Sequence, residues 1–344
     1  MHFPYQNYSH VIHYLNQAVA DPDVTEIRIT LYRVARDSKI CQALEEAAKR
    51  GVQVVVFDEV QARFDEESNI YWGDRLQKAG ATVLYSYEKL KVHTKLFLIV
   101  RNENGKSVRY AYLGTGNFNE KTARIYGDHA LFTANEEMCQ EVEQVFDYLA
   151  NRELEQNYQH LLVAPFGLRN GFEALIDREI AHAKEGKPAS MLLKMNSLQD
   201  RDMILKLYEA SQAGVKVRLI VRGICCLVPG VRGLSDNIRI TSIVDRYLEH
   251  ARVYVFDNNG NEELYIASAD WMTRNLSKRV EVAFPIYDAP LKGEILKIMQ
   301  FQLEDSVKAR NINIRQNNPM VRARSSAVRS QYAIYEWLAG QEEA

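Results

Sequence analysis

The sequence predicts an α/β protein built as two tandem halves with the same internal order. Two observations carry this. The first is size: 344 residues with 47% hydrophobic side chains can bury a large core, and a chain of that length favours two domains over one. The second is an internal repeat, in which strand, helix, glycine and strand recur in one order, with matching positions roughly 160 residues apart.

In the first half, EIRITLYRV reads as a strand rich in β-branched residues. Asp37 and Ser38 then cap a helix that turns Ile40, Leu44 and Ala48 inward, and Gly51 closes it before the buried strand VQVVVFDEV. In the second half, SMLLKMNSL reads as a strand, a helix turns Ile204, Leu207 and Tyr208 inward, and Gly214 precedes the strand VKVRLIVRGI. The parallel continues: LKVHTKLFLIV is followed by RYAYLGTGNFN, and YLEHARVYVFD by LYIASADWMTRN. An acidic helical stretch, EEMCQEVEQVFDYLA, leads to a boundary near YQHLLVAPFG, so the first domain is expected over residues 1–160 and the second over 161–344. The second domain ends in a tail carrying Arg310, Arg315, Arg322, Arg324 and Arg329, then a helix, SAVRSQYAIYEWLAG, stopped by Gly340.

Lysine and arginine number 43 against 45 acidic residues, a net charge of −2. Such a balance supplies no overall field for nucleic acid or an anionic membrane, so an anionic ligand must meet local positive charge. Four cysteines, Cys41, Cys139, Cys225 and Cys226, show no metal-ligand spacing, and the adjacent pair does not close a relaxed disulfide. A reducing compartment fits that usage. No apolar run reaches the length of a membrane span, and MHFPYQNYSH lacks the basic and apolar regions of a signal peptide, so the expected location is the cytoplasm. Peripheral membrane association and a homo-oligomer are both compatible with this sequence.

The chemistry is carried by two histidines. On a strand, His93 and Lys95 share a face, and His250 and Arg252 repeat the arrangement. An imidazole beside a fixed cation, with Gly114, Thr115, Gly116 and Asn117 on the next strand, suits attack on a phosphoryl group. The ring nitrogen is the nucleophile, the cation offsets charge on the phosphoryl oxygens, and the asparagine can orient the ring. One such histidine reads as an ordinary polar residue on a half-exposed strand; two at matching repeat positions read as a site. The glycine pair also admits a phosphate-cradling turn.

H-x-K followed by G-T-x-N, once per half, resembles the phospholipase D superfamily, in which two motifs meet across a pseudo-two-fold axis to form one active site. This sequence departs from that pattern. Val100 stands where an aspartate is expected in the first copy; in the second, Arg252 replaces the lysine, Asp257 is present, and Asp270 stands where asparagine is usual. These departures weaken a phosphodiesterase assignment. The segments TLYRVARDS, QARFDEESNI, HTKLFLI, YLGTGNFNEKTARIYGD, LLVAPFGLR, VRGICCL, SIVDRYLEHARV and SADWMTRNL, in that order, resemble the polyphosphate kinase family over nearly the whole chain.

That resemblance implies two tandem phospholipase-D-like domains, each a mixed sheet flanked by helices. It implies reversible transfer of the ATP γ-phosphate to polyphosphate through a phosphohistidine, with ATP, ADP and polyphosphate as partners, no nucleic acid, and Mg2+ as cofactor. By the resemblance His93 is the phosphorylated residue, and His250 is its partner as acid, base or phosphate contact. Arg33, Arg63 and Arg222 contact phosphates, Arg33 and Arg63 beside the magnesium, which phosphate oxygens and water hold because arginine has no acceptor. Tyr126 stacks on adenine, and Lys95 and Asn117 complete the ATP and phosphate site. Apart from the resemblance, Lys121, Arg124 and Arg274 suit either a polyphosphate channel, whose charge density demands closely spaced cations, or an ordinary solvated surface. The family's two N-terminal domains have no counterpart in this chain, so a catalytic fragment is expected. The alternatives are a phospholipase-D-like phosphodiesterase or nuclease, and a polyphosphate-binding fragment without catalysis.

Overall fold

A computed structural model describes residues 1–59, 66–86, 91–154, 157–323 and 326–342. Arg63 and Arg324 lie outside the described residues. The chain forms two compact units, Met1–Phe166 with Lys278–Val282, and Gly167–Ser277 with Ala283–Ala344.

In the first unit the sheet order is His2–Phe3, Tyr126–Thr133, Lys106–Gly114, Lys95–Glu103, Val24–Leu31, Gln53–Asp58, Thr82–Tyr85. Val24–Leu31, Gln53–Asp58 and Thr82–Tyr85 run parallel to one another, and the remaining neighbours pair antiparallel. In the second unit the order is Ala309–Ile312, Ile238–Ile243, Lys216–Val221, Ser190–Met195, Arg252–Phe256, Glu263–Ala267, and then residues 283–285 of strand Arg279–Pro285, whose earlier residues belong to the first unit. Ser190–Met195, Lys216–Val221 and Ile238–Ile243 are parallel, and the others antiparallel. Leaving out one edge strand in each, six strands therefore match one for one in order and direction. The repeat read from sequence is a repeat of topology, and both sheets are mixed.

The parallel strands need crossover connections; helices supply three of the four, and residues 222–237 join Lys216–Val221 to Ile238–Ile243 without one. Helix Lys39–Lys49 starts where Ser38 Oγ accepts the Cys41 N–H at 3.2 Å, and helix Arg201–Gln212 starts where Asp200 accepts that of Met203. Each such cap stabilises a helix by about 1 kcal/mol. Ile40, Leu44 and Leu207 are fully buried and Ile204 nearly so, whereas Ala48 and Tyr208, also expected inward, are half-buried. Both helices run out just before a glycine with left-handed backbone, Gly51 at φ 89° and Gly214 at φ 100°. The helix faces close on the strands through Val11, Leu15, Ile40, Leu44, Trp72 and Leu76 against Ile27, Ile29, Val54 and Val56 in the first unit.

Each unit has an aromatic cluster, in which Phe97 and Tyr254, each four residues after its histidine, hold equivalent positions, as do Phe118 and Trp271. Phe97 stacks on Tyr112 at 4.9 Å and lies 5.9 Å from Phe118. In the second unit Tyr254 stacks on Trp271 at 5.3 Å, with Phe172 4.6 Å from Tyr254. Burial of each such side chain contributes about 1.5–3 kcal/mol, and it fixes the residues beside Phe118 and Trp271, namely Asn117 and Asp270.

Candidate active site

Side-chain alternation predicts His93 in a continuous strand. The ladder instead breaks there: Lys91–Val92 ends before it and Lys95–Glu103 begins after Thr94. The N–H groups of His93 and Thr94 both donate to the Val280 carbonyl, at 2.9 and 3.1 Å. Thr30 Oγ seals the gap, donating to the Thr94 carbonyl at 2.9 Å and accepting the Leu96 N–H at 3.1 Å. With its backbone satisfied in this way, His93 is released from the two-face rule of a strand.

The His93 ring is held on two sides. Nδ1 lies 2.9 Å from both carboxylate oxygens of Glu281, which is fully buried. The Tyr32 ring meets it edge-on at 4.9 Å. A carboxylate only accepts, so Nδ1 is the donor, and in the neutral ring the lone pair then sits on Nε2. Lys95 is 1% exposed, and its ammonium donates to the carbonyl of His93 itself. The cation expected beside the imidazole thus also clamps the main chain that carries it.

Orientation of the ring, a task the sequence reading gave to Asn117, falls to Glu281. The Asn117 Oδ1 is buried without a hydrogen-bond partner among the described residues. The turn before it is set by Asp128, whose Oδ1 accepts from Thr115 Oγ at 2.5 Å. A Cβ at position 116 would sit 2.6 Å from Asp128 Oδ2, so Gly116 is required by this close approach, with no phosphate needed to explain it. Arg33 follows strand Val24–Leu31, half-buried, its guanidinium 6.0 Å from the Tyr32 ring centroid. Tyr126 opens strand Tyr126–Thr133, also half-buried, while Lys121 and Arg124 are exposed.

The second unit repeats the device. Leu248–Glu249 ends before His250, and Arg252–Phe256 begins after Ala251. Arg252 Nη1 donates to the His250 carbonyl at 2.8 Å, as Lys95 does to that of His93, and lies 3.3 and 3.4 Å from the two ring nitrogens. Its Nε and Nη2 pair with Asp270 Oδ1 and Oδ2 at 3.2 and 3.1 Å. Asn196 ties this to Arg222: its Nδ2 donates to the His250 carbonyl at 3.1 Å, and its Oδ1 accepts from Arg222 Nη2 at 2.7 Å. Arg222 Nε also donates to the Glu249 carbonyl at 2.8 Å. Arg274 is exposed on the five-residue helix Thr273–Ser277.

Sequence reasoning missed Glu281 and Asn196. Each left a signal: Glu281 is an acid flanked by apolar residues in the strand RVEVAFP, and Asn196 follows its strand at the repeat position of Tyr32.

Asp270 is nearly buried. Burial works against its charged form, but the Arg252 guanidinium and the Asn196 N–H outweigh that and hold its carboxyl below the usual range. Asp270→Asn leaves the buried Arg252 charge uncompensated, and the expected loss is about 3–5 kcal/mol of stability at neutral pH. A carboxyl with a lowered folded pKa stabilises fully above its unfolded value near about 4 and loses that contribution as pH falls through the folded value. The gap between the two proteins should therefore be flat from neutral pH to about pH 5 and shrink below it. Urea unfolding of both proteins across that range checks this, and a gap that widens on acidification would contradict it.

Comparison with known proteins adds the family. Residues 1–155 match the family model for polyphosphate kinase C-terminal domain 1, and residues 161–331 that for polyphosphate kinase C-terminal domain 2. The chain is 48% identical over 344 residues to polyphosphate kinase of Escherichia coli strain K12, covering 100% of this chain and 50% of that protein. It is 50% identical over 344 residues to polyphosphate kinase of Vibrio cholerae serotype O1, covering 100% of this chain and 49% of that protein. The crystal structure of polyphosphate kinase from Porphyromonas gingivalis superposes with a TM-score of 0.93 at 46% identity, over 100% of this chain and 53% of that one. Phosphatidylserine synthase of Haemophilus influenzae shares the fold, with a TM-score of 0.58 at 11% identity over 97% of this chain and 91% of that one. The chain spans about half the length of the curated relatives it matches. It belongs to the polyphosphate kinase family.

Proposed function

We propose that this chain is the catalytic region of a polyphosphate kinase, which moves the γ-phosphoryl group of ATP reversibly to the end of polyphosphate through a phosphohistidine at His93. The observation that carries the reading is the bond from His93 Nδ1 to the buried Glu281, 2.9 Å long. With Nδ1 committed as donor, the Nε2 lone pair attacks the γ-phosphorus, the bond from phosphorus to the bridging oxygen breaks, and ADP leaves with that electron pair. The ring becomes cationic as the phosphorus–nitrogen bond forms, and the Glu281 carboxylate stabilises that charge from the far side. The terminal oxygen of polyphosphate, or ADP in reverse, then attacks the same phosphorus and returns the electron pair to Nε2.

His250 serves as the second histidine of the reaction, in contact with phosphate or as acid and base. Arg33, Arg63 and Arg222 neutralise phosphate charge, Tyr126 stacks on the adenine, and Lys95 and Arg252 hold the main chain of the two histidines. Among the described residues no three His, Cys, Asp or Glu side chains gather as a ligand set. Magnesium carried on phosphate oxygens and water is compatible with that inventory, and the buried Asn117 Oδ1 is a hard oxygen able to take a place in such a shell. Bound there, the ion would neutralise phosphate charge. The location that fits these substrates is the cytoplasm.

The test is ATP formation from ADP and polyphosphate, measured beside hydrolysis of a simple phosphodiester. Transfer without diester cleavage is the expected result. Diester cleavage without transfer would establish the phosphodiesterase alternative, and polyphosphate binding with neither activity would leave a binding fragment.

A further inference from the structure

Glu249, the residue before His250, is 4% exposed and is gripped by three elements of the second unit. Lys194 Nζ, from strand Ser190–Met195, reaches its Oε2 at 2.7 Å. Gln302 Nε2, from helix Ala289–Glu304, reaches the same oxygen at 2.7 Å. Gln331 Nε2, from the last helix, Ser330–Glu342, reaches Oε1 at 2.8 Å. Lys194 is 2% exposed, so both charges of the pair are withdrawn from water. Desolvation on that scale offsets most of the attraction, and apolar side chains of the same size would stabilise the fold as well or better. What the arrangement supplies is a defined position.

Gln331 adds a second grip on the same segment. Its Oε1 accepts the Tyr247 N–H at 2.9 Å, and its Nε2 also donates to the Tyr247 carbonyl at 2.9 Å. One amide therefore holds residues 247 and 249 on either side of Leu248, while Arg222 holds the Glu249 carbonyl. The start of the helix is itself tied down. Arg329 pairs with Asp245 at 2.5 and 2.8 Å, and the Ser330 N–H and Oγ both donate to Asp305 Oδ2 at 2.7 Å. Tyr247 and Glu249 are thus fastened to the last helix and Asp245 to Arg329 just before it, and the strand breaks at the next residue, His250. Ile334 and Leu338, at 0% and 8% exposed, supply the apolar docking of that helix, so Gln331 is not needed merely to attach it.

We infer that Gln331 is a positioning residue for His250, acting through Glu249 and the Tyr247 main chain, and that the last helix belongs to the phosphotransfer machinery. This inference rests on the reading that His250 takes part in the transfer. A misplacement on the ångström scale costs up to about a hundredfold in rate, and loss of the amide grip alone is expected to lower kcat about tenfold with KM changed less than about twofold. The experiment is steady-state phosphotransfer by the natural protein, with Gln331→Leu, Leu338→Ala and His250→Ala compared. Leu338→Ala loosens the docking of the helix but leaves the amide in place, so it should lower Tm and keep kcat within about twofold below its unfolding range. If Gln331→Leu does not fold, Gln331→Glu, which keeps size and the acceptor for Tyr247 while setting a carboxylate against Glu249, is judged by the same criterion. A wild-type protein that transfers phosphate and a His250→Ala protein that transfers it equally well would remove the role of His250 itself. Where His250→Ala does fail, a Gln331 variant with native kcat, or a Leu338→Ala loss equal to that of Gln331→Leu, overturns the positioning role.

Discussion

Phosphotransfer by a His93→Ala protein is expected to fall by about four orders of magnitude or more, the scale on which removal of a nucleophile acts. Alanine leaves Glu281 buried beside an empty space, and Tyr32 and Lys95 offer no nitrogen lone pair at the same point, because the Lys95 ammonium is already donating to the carbonyl of residue 93. The direct readout is covalent. Incubation with ATP labelled at the γ-phosphate should give the wild-type protein an adduct that is labile to acid and stable to base, as a phosphorus–nitrogen bond is, and His93→Ala should give none. Equal labelling of the two proteins would remove His93 from the chemistry and leave Glu281 holding a merely structural imidazole. Folding should survive the change, since the backbone at residue 93 is fastened by the Val280 carbonyl and not by the ring.

Much of this arrangement was legible in the chain because it occurs twice. The order of strand, helix, glycine and strand, and the pairing of His93 with His250 and of Lys95 with Arg252, needed only comparison of one half with the other. The six matching strands are the structural form of that comparison. The details that alternation missed are those where the chain stops being regular. Alternation assumes an unbroken ladder, and the ladder breaks at both histidines, so the i+2 cation turns back on the main chain. Glu281 was invisible for another reason: it is 188 residues from His93, and only the register of Arg279 against Lys91 brings it there. Gly116 looked like a phosphate turn because a short glycine pair says only that a side chain is unwelcome, not whether a ligand or Asp128 excludes it.

The buried acid that sequence reasoning passed over gives the second large effect. Glu281→Gln keeps the shape of the side chain and removes a charge from a fully buried position. Stability should change little, because the desolvation cost of the buried carboxylate is removed while Arg279, 3.9 Å from its Oε1, loses a counter-charge. Chemistry should suffer in either orientation of the amide. If its oxygen accepts from Nδ1, the lone pair stays on Nε2 but the developing imidazolium loses its counter-charge. If its nitrogen donates to Nδ1, the proton moves to Nε2 and the attacking lone pair is gone. Loss of a histidine-orienting carboxylate in other enzymes lowers the rate by up to about 10⁴-fold, and a fall of about 10²–10⁴ in the rate of His93 phosphorylation is expected here with KM for ATP little changed. Rapid-quench labelling and a thermal melt on the same preparation separate the two roles. A phosphorylation rate equal to that of the wild type would show that Glu281 does not set the tautomer, whereas a melt lowered by many degrees would make it a structural acid whose loss disorders the histidine segment as a whole.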